Sequence, residues 1–236
     1  MAPATQLKIG ILQTGKVPAE LVAQHGHLPS MFERILQGHG FGFQTWSVVD
    51  DVFPDNVHEC DGWLITGSPH GAYDEFPWIA RLEQFIRDAY RAEVPVAGIC
   101  FGHQLMAQAL GGKVEKFAGG WGAGQMRYRM SDGEEITINA MHQDQVVVRP
   151  PDAEVICSSE FCENAGLAYK GPAISFQPHP EFDDAYMADL LAARSGKSIP
   201  RERAEAALAS LGQNLDSARL AARIADFFKA SVRQAA

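Results

Sequence analysis

A five-residue segment, Gly98-Ile99-Cys100-Phe101-Gly102, constrains the fold of this chain more than any other part of the sequence. It follows a short apolar run that predicts a buried strand, and it leads into a run with helical periodicity. A glycine on each side of the cysteine permits a sharp turn, because a β-carbon there would tend to clash. The segment therefore predicts a strand-turn-helix unit that lifts the Cys100 thiol above the carboxyl end of a sheet.

Cys100 is a candidate nucleophile in this setting. The N-terminal end of the following helix carries partial positive charge, which stabilises the reactive thiolate. The backbone N–H of Phe101 is free to face an oxyanion. A cysteine is more often just a small buried residue, but the two glycines and the strand-helix context favour the nucleophile.

The first half of the chain alternates between predicted strands and predicted helices. The strands are expected at residues 7–12, 41–49, 63–66 and 95–99. The helices are expected at residues 28–37, 76–90 and 101–110. This alternation is typical of an α/β fold with an open, mostly parallel sheet and helices on both faces.

After Gly112 the pattern changes to short strands with little helix between them. They are expected at residues 125–130, 135–140, 145–148, 154–158 and 166–175, as antiparallel additions packed at one end of the sheet. Helical periodicity returns at residues 185–193, 200–211 and 217–232. We expect one domain over residues 1–236, in which about 190–236 form a C-terminal helical extension.

Composition excludes several classes of function. A net charge of −9 opposes binding to nucleic acid. The apolar runs are too short to span a membrane, and the N-terminus does not resemble a signal peptide. Four cysteines without a secretory signal are expected to be free thiols in a reducing cytoplasm.

The tripeptide His179-Pro180-Glu181 offers a base and a group to orient it. It comes shortly after a predicted strand at residues 173–176, whose end would bring His179 near Cys100. Prolines 178 and 180 stiffen the segment and favour extended backbone before each of them. Alone, such a tripeptide is more often a surface turn. Together with the cysteine turn it predicts a nucleophile-base pair.

A second N–H donor for an oxyanion is expected from the turn Gly67-Ser68-Pro69, which ends another predicted buried strand. Turns of the Gly-x-Pro kind are common, so this pattern is less specific than the cysteine turn.

Four motifs in this order and spacing resemble the class I (triad) glutamine amidotransferases, in particular their GMP-synthetase-like stand-alone subgroup. They are Gly98-Ile99-Cys100-Phe101-Gly102-His103-Gln104, Gly111-Gly112, His142-Gln143-Asp144 and Gln177-Pro178-His179-Pro180-Glu181. The resemblance covers about residues 6–190. It implies hydrolysis of the glutamine side-chain amide through a γ-glutamyl thioester, with release of ammonia.

The resemblance also implies roles for single residues. Cys100 would be the nucleophile, His179 the base and Glu181 its orienting group. The oxyanion would be bound by N–H groups of Phe101 and Ser68, with Gly67.

Gln104 would contact the amino-acid end of the substrate, which agrees with its position one helical turn after Cys100. His103 lies three residues after Cys100, and we expect a hydrogen-bonding role for it rather than a catalytic one. The loop of Met141, His142 and Gln143 would hold the same end of the substrate through its backbone.

The loop departs from the family pattern in two places. The family often has His-Gly-Asp where this chain has His142-Gln143-Asp144, and a small polar residue where it has Met141. Strict preference for free glutamine is therefore not implied. The subgroup also includes γ-glutamyl peptidases, which use the same triad.

We expect no cofactor and no metal site. The glycine-rich segment 119–124 lacks the Lys-Ser/Thr ending of a phosphate-binding loop, so we expect a flexible loop there. The pairs His58/Cys60 and Cys157/Cys162 lack the tight spacing of zinc ligands. The stripe of Leu220, Ile224, Phe227 and Phe228 is expected to pack on the core.

Three functions remain open at the level of sequence. The first is an amidotransferase subunit that hydrolyses glutamine and feeds ammonia to a separate synthetase subunit. The second is an independent hydrolase of γ-glutamyl compounds. The third is a non-catalytic regulatory homologue, which the intact Cys, His and Glu disfavour. No nucleic acid or membrane partner is expected.

Overall fold

The computed structural model describes residues 6–235, which contain eleven strands, seven α-helices and one short 3-10 helix at Val48–Asp50. The strands are β1 (Leu7–Leu12), β2 (Phe41–Trp46), β3 (Gly62–Ile65), β4 (Val96–Ile99), β5 (Lys113–Lys116), β6 (Gly122–Met130), β7 (Glu135–His142), β8 (Asp144–Val148), β9 (Ala153–Ser158), β10 (Gly166–Tyr169) and β11 (Ala173–Phe176). The helices are α1 (Ala19–His25), α2 (Leu28–Ile35), α3 (Pro77–Arg91), α4 (Phe101–Ala109), α5 (Asp184–Arg194), α6 (Arg201–Ala209) and α7 (Ser217–Ala235).

Nine strands form one sheet in the order β2-β1-β3-β4-β11-β10-β9-β6-β7. The first five are parallel to one another, and the last four join in antiparallel fashion. Strands β5 and β8 pair separately as a small antiparallel sheet. The predicted α/β fold, a mostly parallel sheet with antiparallel additions at one end, is confirmed. Two of the expected antiparallel additions differ, since β8 pairs with β5 outside the main sheet and β11 is parallel to β4.

Helices cover both faces of the parallel part of the sheet. Successive side chains of a strand point to opposite faces, so each central strand contributes to the hydrophobic core on both sides. Ile65 of β3 belongs to the hydrophobic cluster that contains Leu82 of α3. Its neighbour Leu64 belongs to the cluster that contains Phe32 of α2 and Ile224 of α7. The central strands are therefore buried on both sides, as a continuous apolar run predicts.

Three neighbouring strands, β3, β4 and β11, end at the same edge of the sheet. Ile65 pairs with Gly98 and Phe176 with Ile99. The Cys100 N–H donates to the Phe176 carbonyl at 2.8 Å. The three segments that follow these strands consequently start side by side, where open α/β sheets place their ligands.

Three predicted element boundaries are also wrong. The strand expected at 41–49 ends at Trp46, and a 3-10 helix follows. The strand expected at 166–175 is a hairpin of β10 and β11, because Gly171 and Pro172 turn the chain between them. Half of the glycine-rich segment 119–124 is not a loop, since Gly122 begins β6 and pairs with His142.

One α-helix and one strand were also not predicted. Helix α1 buries none of its side chains, so it shows no apolar stripe. Strand β5 buries only Val114 and exposes its lysines and glutamate, so its sequence resembles a polar connection.

The C-terminal helix α7 packs on the core as expected. Leu220, Ile224 and Phe228 are fully buried, while Phe227 is only partly buried. All four cysteines are free thiols and are buried.

Within residues 6–235, no helix combines the length and the apolar character needed to cross a membrane.

Candidate active site

The turn between β4 and α4 holds Cys100 in a backbone conformation that non-glycine residues rarely adopt, with φ of 53° and ψ of −102°. A β-carbon on Gly98 would lie 2.6 Å from the backbone of Gly102, and one on Gly102 would lie 2.5 Å from the Ile65 carbonyl. Both glycines are therefore needed for this crossing of strand and helix, as the sequence predicts. A strained cysteine at such a turn indicates function rather than packing.

Cys100 caps the N-terminal end of α4 and is 5% exposed. Its carbonyl accepts the Gln104 N–H at 3.0 Å, which begins the helix. The N-terminal end of α4, which carries partial positive charge, therefore lies at Cys100. Because the first N–H groups of a helix have no acceptor within it, the Phe101 N–H can meet an oxyanion beside the sulfur.

His179 and Glu181 form a buried pair directly after β11. The Nδ1 atom of His179 lies 2.7 Å from Oε1 of Glu181, and their side chains are 4% and 0% exposed. The His179 N–H donates to the Asn139 carbonyl of β7 at 2.8 Å. The ring of Phe182 stacks on the His179 ring, with centroids 4.0 Å apart and planes 4° from parallel. The Glu181 carboxylate is thus the hydrogen-bond partner of His179 Nδ1, and stacking on Phe182 holds the plane of the imidazole ring.

The surroundings of His179 favour its protonated form. Burial lowers the pKa of His179, but the Glu181 carboxylate and the nearby Cys100 outweigh burial and raise that pKa to about 10. An imidazolium is therefore expected near neutral pH. His179 and Cys100 line the same cavity.

The turn after β3 is tied to the end of β1. The Thr14 hydroxyl donates to the Gly67 carbonyl at 3.0 Å, and the Thr14 N–H donates to the Thr66 hydroxyl at 3.0 Å. A β-carbon on Gly67 would lie 2.8 Å from Cε1 of His179, so no side chain fits there. Gly67 and Ser68 line the cavity that contains Cys100. Their role as oxyanion donors stays a prediction.

The residues expected to bind the substrate divide into two groups. Met141 lines the cavity at Cys100. The Gln104 amide instead donates to the Asp144 carbonyl at 2.8 Å and to Gln177 Oε1 at 3.1 Å. Gln104 is 3% exposed and does not line the cavity.

The other two loop residues also bond within the protein. His142 is 3% exposed and its Nδ1 lies 3.1 Å from the Asp144 carbonyl. The Gln143 amide donates to the Phe117 carbonyl at 3.3 Å. The roles of Gln104, His142 and Gln143 as substrate contacts stay predictions.

His103 lies behind the site with a structural partner, as expected. Its Nδ1 is 2.8 Å from the hydroxyl of Ser175 in β11. Burial lowers the pKa of His103 to about 3, so this ring is neutral at physiological pH.

The cavity beside Cys100 has a volume of about 40 Å³ and includes residues that the sequence did not point to. Sequence reasoning missed Lys16, Leu28, Phe182, Tyr186, Leu190 and Arg194. The last four recur every four residues, so they share one face of α5 and the turn before it. That spacing is visible in the sequence, but the position of this face over Cys100 depends on the tertiary fold.

Within residues 6–235, no group of three or more His, Cys, Asp or Glu side chains is arranged to hold a metal ion.

The family description "Glutamine amidotransferase class-I" matches residues 43–192, which is more than half of the chain. The chain belongs to the class-I glutamine amidotransferase family. The family predicted from the motifs is confirmed.

Two relatives of this chain illustrate the range of the family. It is 29% identical over 206 residues to gamma-glutamyl peptidase 4 of Arabidopsis thaliana, covering 80% of this chain and 82% of that protein. It is 27% identical over 170 residues to one subunit of the glutamine-hydrolyzing GMP synthase of Archaeoglobus fulgidus, covering 68% of this chain and 87% of that protein.

Among solved structures, a glutamine amidotransferase from Methylobacillus flagellatus has the same fold, with a TM-score of 0.71 and 22% identity. The similarity covers 95% of this chain and 94% of the other chain.

The family match includes Cys100, His179 and Glu181 but ends before Arg194 and begins after Lys16. The two cationic residues of the cavity, Lys16 and Arg194, thus come from parts of the chain outside the match.

Proposed function

We propose that this chain hydrolyses γ-glutamyl amide bonds, including the side-chain amide of glutamine, through a γ-glutamyl thioester on Cys100. The observation that carries the proposal is the buried set of Cys100 at a helix N-terminus and His179 bonded to Glu181. Such a set supplies a nucleophile, a base and a group that orients the base.

In the first half of the proposed reaction, the Cys100 thiolate attacks the γ-carbonyl carbon and forms a tetrahedral oxyanion. N–H groups of Phe101 and of the Gly67-Ser68 turn stabilise this oxyanion. The C–N bond then breaks, and the His179 imidazolium gives its proton to the departing nitrogen. Ammonia or an amine leaves, and the γ-glutamyl group remains on the sulfur as a thioester.

In the second half, water attacks the thioester carbonyl while neutral His179 takes a proton from it. The intermediate collapses, the C–S bond breaks and glutamate leaves. The thiolate and the imidazolium are thereby restored, with one water consumed in each turnover. Glu181 keeps the His179 ring oriented throughout and stabilises its positive charge.

The proposal has two forms that differ in dependence on a partner. In one, the chain is a glutaminase that passes ammonia to a separate synthetase subunit, as the GMP synthase relative suggests. In the other, it acts alone on γ-glutamyl peptides, as the relative named gamma-glutamyl peptidase suggests. The cations in the cavity favour the second form.

We further propose that residues 1–236 work as one catalytic domain in the cytoplasm. In it, Gln104 and the Met141-His142-Gln143 loop hold the glutamyl end.

The test is glutamate release by the purified chain alone, from glutamine and from γ-glutamyl dipeptides. Wild type should be active, and Cys100→Ala should lose at least about 10³-fold in rate with an unchanged circular dichroism spectrum. Cys157→Ala, which also removes a buried thiol, should stay active. Activity that persists in Cys100→Ala would refute the proposed nucleophile. Cleavage of glutamine alone, rising sharply when a co-purifying synthetase is added, would select the ammonia-donor form.

A further inference from the structure

Two cationic side chains, Lys16 and Arg194, line the cavity that contains Cys100. Lys16 lies in the loop after β1, and Arg194 is the last residue of α5. Of the residues expected to hold the glutamyl end of a substrate, only Met141 lines this cavity. The cavity wall therefore carries two cations that are not among the residues expected to hold the glutamyl end.

Arg194 carries a charge that the protein itself does not neutralise. Its side chain is half-buried, and within residues 6–233 no carboxylate forms an ion pair with it. One acid of α5 and one in the segment before it have other partners. Asp189 lies 2.7 Å from His25, and Glu181 lies 2.7 Å from His179. In a chain of net charge −9, an unpaired arginine at a cavity favours an anionic ligand.

The position of Arg194 is fixed by the backbone around it. Its carbonyl accepts the N–H groups of Lys197 and Ile199 at 3.1 and 3.3 Å. The Tyr186 side chain lies on the same face of α5, eight residues earlier, and lines the same cavity. Burial raises the pKa of Tyr186, and the charge of Arg194 partly opposes that rise.

Lys16 is a weaker candidate than Arg194. It is exposed, and its Nζ lies 2.6 Å from Oδ1 of Asp50. The lysine can add to the positive field at the cavity, but Arg194 presents the unpaired donors. A guanidinium also matches the geometry of a carboxylate with two parallel hydrogen bonds.

We propose that Arg194, assisted by Lys16, binds a carboxylate of the leaving group, so that the preferred substrate is a γ-glutamyl amino acid or peptide. This inference rests on the proposed hydrolysis at Cys100. Glutamine releases ammonia, which presents no anion to Arg194. A γ-glutamyl amino acid releases an amine that bears its own carboxylate on the far side of the scissile bond. Arg194 therefore determines specificity and takes no part in bond breaking.

The test compares γ-glutamylglycine with γ-glutamylglycinamide, which differ in the charge of the leaving group. Wild type should show a kcat/KM about tenfold higher for the acid, the size expected of one charge-assisted contact. Arg194→Gln should lose about tenfold on the acid and less than twofold on the amide. Arg194→Lys should recover part of the loss. Lys197→Gln is the matched control, because Lys197 is an exposed cation three residues further on that does not line the cavity.

Each other result overturns the inference. An equal loss on both substrates would place Arg194 at the glutamyl end. No loss on either substrate would show that Arg194 does not contact the substrate. The same loss in Lys197→Gln would indicate a long-range electrostatic effect of any nearby cation rather than a contact by Arg194. A wild type that hydrolyses glutamine but neither dipeptide would refute this inference and leave the proposed function standing. Failure to hydrolyse glutamine or any γ-glutamyl compound would refute the proposed function itself.

Discussion

At the scale of single residues, the contact of Phe182 with His179 was not foreseen from the His-Pro-Glu motif. Phe182 is 4% exposed and lies flat against the imidazole. Its carbonyl accepts a hydrogen bond from the Asn139 amide at 3.0 Å, which holds the backbone beneath the stack. A cation over an aromatic face is stabilised by the ring's quadrupole. Phe182 therefore acts as a positioning residue for the protonated base.

We predict that Phe182→Leu lowers the pKa of His179, because the protonated ring loses its aromatic partner. A cation–π contact of about 0.5–2 kcal/mol corresponds to a shift of roughly 0.4–1.5 units. The measurement is an NMR titration of the His179 ring, with Phe182→Tyr as the control that keeps the aromatic face. The kcat should fall several-fold in Phe182→Leu only. An unchanged titration midpoint in Phe182→Leu would mean that the stack serves packing alone.

The sequence predicts most of the residues that do the proposed chemistry, because each is fixed by local geometry. Gly98 and Gly102 reveal the turn at Cys100, since only glycine fits the crossing. Pro180 likewise marks a stiff segment between the base and its partner. Arg194 carries no such local constraint, so only the tertiary fold shows that it reaches the cavity.

At the scale of elements, Asp184 in the first turn of α5 joins that helix to three other segments. Its carboxylate accepts hydrogen bonds from Gln125 of β6 at 2.9 Å, Asn139 of β7 at 3.2 Å and the Gly212 N–H at 2.9 Å. The Asn139 carbonyl in turn holds the His179 N–H. Asp184 thus connects the chain after α6 to the segment that carries the base.

We predict that Asp184→Ala loosens both of these segments. Loss of hydrogen bonds to a charged group should lower the free energy of unfolding by about 2–3 kcal/mol. Hydrogen exchange should rise in residues 210–216 and in residues 177–183, and kcat should fall more than KM rises. Asp226→Ala is the control, since Asp226 is exposed on α7. Faster exchange at 210–216 alone, with normal kcat, would show that the C-terminal segment does not support the base.

Elements with a strong apolar pattern were predictable, and those without one were not. The run that forms β4 is buried at every residue, so its strand and the following turn stand out. Strand β5 and helix α1 bury at most one side chain each, and their positions depend on partners that are distant in sequence. The hairpin of β10 and β11 was interpreted as one strand because both halves are apolar.

At the scale of the whole molecule, the fold gathers the ends of β3, β4 and β11 around one thiol out of four, that of Cys100. Burial raises the pKa of Cys60 to about 11 and the pKa values of Cys157 and Cys162 to about 12. These three thiols stay protonated at neutral pH and are poor nucleophiles. Cys100 alone faces an imidazolium within a cavity that opens beside a helix N-terminus.

Labelling with a diazo-ketone analogue of glutamine, followed by peptide mass spectrometry, tests this account most directly. We predict one equivalent of label per chain, attached to Cys100 at neutral pH, with loss of activity in proportion to labelling. Cys100→Ala should take up no label, while its circular dichroism spectrum matches that of wild type. Label on Cys60, Cys157 or Cys162 that accounts for the loss of activity, with Cys100 left free, would contradict the assignment of Cys100 as the nucleophile.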